Sequence, residues 1–119
     1  MRLKMKQFNS MPFVSIILVI LNVLIFLVCT FGGELLYIKG SLRPDTFFVG
    51  KEYYRVISAM FLHADIYHLL NNMLLLMGIG AMIEKEMGHL TLLFLYFSSG
   101  IAGQAASLYY RVARDEWTI

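Results

Sequence analysis

The sequence predicts an all-α membrane protein carrying three transmembrane helices. Hydrophobic residues make up 59% of the chain and charged residues only 15%, where a soluble domain carries about a quarter charged. The mean hydropathy is +0.68. The apolar residues gather into three stretches, at about 12–31, 67–84 and 90–110, with a long mixed loop at 32–66. At 119 residues the chain is one small domain and no more.

The first stretch, Pro12 to Phe31, holds no charge, and its polar side chains are Ser15, Asn22 and Thr30. Its 20 residues, at about 1.5 Å each, match the roughly 30 Å hydrocarbon layer. Pro12 sits where its missing N–H costs a helix least. Arg2, Lys4 and Lys6 resemble the charged start of a signal peptide. The apolar run is longer than such peptides use, however, and no A-x-A cleavage site follows, so the segment reads as a retained span. The one cysteine, Cys29, lies inside this run and reads as a small apolar filler.

The segment 32–66 mixes Glu34, Lys39, Arg43, Asp45, Lys51, Glu52 and Arg55 with leucine, tyrosine and phenylalanine. Leu35 to Ile38 and Phe47 to Val49 are too apolar for a plain linker. The loop is therefore expected to fold against the helices or to lie in the membrane interface. The second span opens with His68, Asn71 and Asn72, becomes apolar, and stops at Glu84-Lys85-Glu86. The third is bulky from Leu92 to Phe97 and small thereafter. Its Ser99/Gly103/Ser107 and Ala102/Ala106 repeats have the spacing that lets helices pack closely in lipid.

Arg2, Lys4 and Lys6 favour a cytoplasmic amino terminus. A strict count that includes the four basic residues of the loop, with Arg111 and Arg114, favours the reverse. The loop's bases are interspersed with acids, so the amino terminus is assigned to the cytoplasm. A net charge of +2, with its basic residues scattered, excludes a nucleic-acid partner.

Chemistry concentrates between Arg55 and Gly88. His68 and Asn72 stand four apart and project from one helix face. Two neutral donors at that spacing can stabilise an oxyanion. They can equally form an interhelical hydrogen-bond pair. The string Arg55…Phe61-Leu62-His63-x4-His68-x3-Asn72-Met73…Gly80-x3-Glu84-x3-Gly88 resembles the signature of rhomboid intramembrane serine proteases. It covers the end of their first loop and their second transmembrane helix. The resemblance implies a rhomboid-like helical bundle, with three of an expected six helices present. It implies that His68 and Asn72 stabilise the oxyanion, that Arg55 and His63 hold the loop and the start of the second helix, and that Glu84 and Gly88 close the other end of that helix. It also implies transmembrane protein substrates, no cofactor, and a multi-pass location in a bacterial plasma membrane.

That family's nucleophile lies in a Gly-x-Ser-Gly motif and its base is a histidine of the sixth helix. No Gly-x-Ser-Gly occurs in these 119 residues. Ser98-Ser99-Gly100 falls within the third span and reads as packing. His89 is expected in a short loop on the cytoplasmic side, away from His68. The sequence therefore reads as an amino-terminal half that stops short of its serine, inactive alone, with carboxy-terminal helices as partners alongside lipids. The competing reading is a non-catalytic relative that binds transmembrane clients. A metal site at His63, Asp65 and His68 is disfavoured because the spacing is not H-E-x-x-H.

Overall fold

The computed structural model describes residues 11–118, and all regular structure among them is helical. Arg2, Lys4 and Lys6, on which the orientation rests, lie outside the described residues. Three helices are long and apolar enough to cross a membrane. They are α1 (Phe13–Phe31), α4 (Ile66–Met87) and α5 (His89–Ala113). The segment between α1 and α4 is more than a loop. It forms α2 (Leu35–Gly40), a π turn (Asp45–Val49) and α3 (Arg55–Ala59). The chain divides into two compact units, one of residues up to Phe26 with His63–Tyr96, the other of Leu27–Leu62 with Phe97–Ile119.

In the first unit, α1 is inside-out relative to a soluble helix. Phe13, Ile17, Ile20 and Leu24 are exposed, while Ser15, Leu18 and Asn22 are buried. Apolar side chains meet lipid at no cost, and polar ones must find protein partners. Asn22 finds two, donating from Nδ2 to the Leu18 carbonyl at 2.7 Å and to the Tyr96 hydroxyl at 3.0 Å. Asp65 starts α4 as an extended N-cap whose Oδ1 accepts from the His68 N–H at 2.9 Å. Midway, Leu76–Gly80 widens into a π segment, closed by the Ala81 N–H on the Leu76 carbonyl. A Cβ on Gly80 would meet Leu76 Cδ1, one turn earlier in α4, at 2.9 Å, so glycine leaves room for that leucine, whereas Leu92 Cδ1 of α5 at 3.6 Å is at ordinary contact distance. Gly88 ends α4 at φ +101°, a conformation that side chains resist. The chain turns on this single residue. His89, which the sequence suggests lies in a loop, is instead the first residue of α5.

In the second unit, Leu42, Ala59 and Leu108 form a buried cluster with Phe47 and Val56 packed against it. The carbonyl end of α2 is satisfied by side chains from further along the loop. Arg43 and Arg55 both donate to the Ile38 carbonyl, at 3.1 and 2.7 Å. Arg55 also reaches the Ser41 carbonyl at 2.9 Å, and Ser58 Oγ donates to the Gly40 carbonyl at 2.7 Å. The π turn is tied to the residues after α5 by the Asp45 N–H on the Trp117 carbonyl at 3.1 Å and by the tilted Phe48–Trp117 ring pair.

Candidate active site at the start of α4

The turn from Leu62 to Asp65 delivers His63 to the first turns of α4. The Asp65 cap fixes where that helix begins, and so fixes the azimuth of His68 and Asn72. His63 is buried and Asn72 half-buried, while His68 is exposed. Asn72 Nδ2 lies 3.0 Å from His63 Nε2. An amide nitrogen can only donate, so Nε2 presents its lone pair and the ring proton resides on Nδ1. The His63 and His68 rings are 5.5 Å apart between centroids, tilted by 46°. The three side chains thus form one cluster, with His63 in contact with both residues singled out by the helical spacing.

This cluster differs in one respect from the pair read from the sequence. Asn72 is engaged by His63, which precedes the helix, and no hydrogen bond joins Asn72 to His68. One of the two amide N–H groups of Asn72 is committed to His63, and the carboxamide is thereby held in one rotamer. The second N–H remains for another acceptor. The arrangement is a set of neutral donors beside a buried imidazole, suited to receiving negative charge that develops on an oxygen.

The other sequence-selected residues fall into two supporting places. Arg55 is buried at 6% exposure, and its guanidinium joins the carbonyls of Ile38 and Ser41 to the Glu52 carboxylate at 3.0 Å. A solvated loop arginine would do none of this. Its pairing, with that of Tyr54, holds the Glu52 carboxyl below its ordinary range: the Tyr54 hydroxyl contributes most, then Arg55. Glu84 has no exposed surface. It accepts from the Val14 N–H at 2.7 Å, the Ser15 N–H at 2.8 Å and the Ser15 hydroxyl at 2.8 Å, and it pairs with His89 Nδ1. Gly88 provides the turn that brings His89 back to it. Sequence reasoning missed Ser15 as a partner of Glu84, and Arg43 as a second buried arginine. The available signal was a serine within an otherwise apolar span and an arginine next to a proline in an apolar loop. Among the described residues, no three of histidine, cysteine, aspartate and glutamate are grouped to hold a metal ion.

Comparison with known proteins gives these residues a context. A family model for the Rhomboid domain matches residues 50–116, more than half of the chain. Similar curated proteins include Rhomboid-like protein 15 of Arabidopsis thaliana, 29% identical over 73% of this chain and 22% of its own length. RHOMBOID-like protein 2 of the same plant is 43% identical over 45% of this chain and 17% of its length. Rhomboid protease GluP of Bacillus subtilis is 27% identical over 86% of this chain and 21% of its length. The chain therefore spans about a fifth of the length of these relatives. No solved structure matches it.

Proposed function

The chain belongs to the Rhomboid family, and from that premise we propose that it provides the oxyanion-stabilising part of an intramembrane serine endopeptidase acting on transmembrane proteins. His68 and Asn72 are the donors, and His63 is the residue that positions Asn72. What carries the reading is the Asn72 carboxamide, engaged by His63 Nε2 at 3.0 Å with a second N–H to give, one helical turn from the His68 imidazole. When a serine attacks a peptide carbonyl, charge passes to the carbonyl oxygen. Neutral N–H groups already in place stabilise that charge without reorganising. The nucleophile and base belong to helices other than these three, since no Gly-x-Ser-Gly occurs in the 119 residues. By itself the chain is inactive. The amino terminus is cytoplasmic, which puts the start of α4 towards the opposite surface of a plasma membrane of bacterial type.

The competing reading is a membrane protein that binds transmembrane clients without cutting them. A chimera separates the two. In it, these residues replace the matching segment of Bacillus subtilis GluP, and cleavage of a transmembrane reporter is measured. The chimera is expected to cleave, with His68→Ala and Asn72→Ala each lowering kcat by about 10²–10³. A folded chimera that cleaves equally well with both substitutions would contradict the proposed role. A folded, membrane-inserted chimera with no cleavage would favour client binding.

A further inference from the structure

The second unit contains a cavity of about 400 Å³ that the proposed active site does not use. Its lining is divided. Leu42, Ala59 and Leu62 form an apolar part, while Tyr37, Ser41, Gln104, Ser107 and Arg111 bring donors. Arg43, Arg55 and Arg114 each pair with a carboxylate, but among the described residues Arg111 has none. Its contacts are the Thr118 carbonyl at 2.7 Å and the Leu42 carbonyl at 3.4 Å, which leave most of a five-donor guanidinium uncommitted. The side chains of Tyr37, Gln104 and Ser107 hydrogen-bond to no described residue, and the Ser41 hydroxyl only accepts, at 3.4 Å, from Arg43. A positive charge with no carboxylate partner among the described residues, beside unused donors, calls for an anion with several acceptor oxygens.

The level of the cavity in the membrane narrows the choice. Helix α5 has 25 residues, a length of about 37 Å, which exceeds the roughly 30 Å hydrocarbon layer. Arg111 lies in its last turn. Tyr109 and Tyr110, just before it, are 76% and 57% exposed, as tyrosines are at the headgroup level. A charged anchor beside an apolar wall at that level suits an amphiphile better than a soluble ion.

We propose that the cavity between the loop and the last turns of α5 binds the phosphate of an anionic phospholipid, with Arg111 as its charge partner and Leu42 and Leu62 against the first part of an acyl chain. The inference does not depend on the protease reading. It is tested on the purified full chain in neutral detergent, titrated with dioleoylphosphatidylglycerol or dioleoylphosphatidylcholine, with retained lipid read by native mass spectrometry. Phosphatidylglycerol is expected to be retained preferentially. Arg111→Gln should weaken that retention by about tenfold or more, and Arg111→Lys by much less, because a single charge-assisted contact survives. Ser107→Leu, which fills the cavity but keeps the charge, should also weaken it. Equal retention of the two lipids by the unaltered chain would overturn the proposal, as would unchanged retention by Arg111→Gln or Ser107→Leu. Displacement of the lipid by an equal concentration of inorganic phosphate would assign the site to a free ion and overturn it as well.

Discussion

A carboxylate with no exposed surface inside an apolar helix must be held by donors, and Glu84 draws three of them from Val14 and Ser15 of α1. Removing the carboxylate leaves two backbone N–H groups buried without acceptors. Glu84→Ala should therefore destabilise the protein by on the order of 3 kcal/mol, whereas Ser15→Ala, which removes one of several donors, should cost about 1 kcal/mol. Thermal melting in detergent measures both. Glu52 gives a pH dependence of known sign. Its carboxyl titrates below its ordinary value of 4.5 because the ionised form accepts from the Tyr54 hydroxyl and the Arg55 guanidinium. A depressed folded-state pKa contributes stability that is complete above 4.5 and is lost as pH falls through the lower folded value. Glu52→Gln should flatten the acid limb of the melting temperature below pH 4.5 and leave the rest of the profile parallel. At Asn72, a neutral His63 is required to accept the amide N–H, so the residue before the helix sets the rotamer of the residue within it.

At the scale of elements, the two units show different grounds for order. The long helices follow from hydropathy, and the sequence indicates all three because about 20 apolar residues have no other stable state in lipid. The turns α2, α3 and Asp45–Val49 are too short to persist by propensity. They persist because the carbonyls of Ile38, Gly40 and Ser41 are capped by Arg43, Arg55 and Ser58, from as far as 18 residues along the chain. Such pairings leave no periodic trace, so the sequence indicates only that the segment is too apolar to be a linker. The π segment Leu76–Gly80 is equally silent in the sequence, apart from its two glycines. The helical spacing of His68 and Asn72 was readable, but the engagement of Asn72 by His63 was not, because it depends on the turn that Asp65 terminates. Gly100 of α5 offers a test of loop packing. A Cβ there would lie 2.2 Å from Met60 Cε, 2.8 Å from its Sδ and 3.0 Å from its Cγ, so the Met60 side chain would have to change rotamer. Gly100→Ala should cost about 1–3 kcal/mol by overpacking. Met60→Ala in the same chain should recover part of that loss. Limited proteolysis within the segment 32–66 reports the outcome.

The first unit buries polar side chains of its spans beneath an apolar surface. Leu74, Leu90 and Phe94 are exposed, and Glu84, Asn22 and Ser15 are among its most deeply buried side chains. Lipid makes that distribution favourable, and water would not. The small residues Ala102, Gly103, Ala105 and Ala106 are also exposed along α5, and small residues on a helix surface let another helix approach closely in lipid. In the proposed enzyme further helices bring a nucleophile towards His68 and Asn72. The most direct test is the structure of the GluP chimera after its serine has reacted with a fluorophosphonate, because the phosphonyl oxygen stands where the oxyanion forms. The account predicts that oxygen at about 2.7–3.1 Å from Asn72 Nδ2 and from a ring nitrogen of His68, with His63 still against Asn72. An oxygen held by other donors, with both side chains turned away, would contradict it.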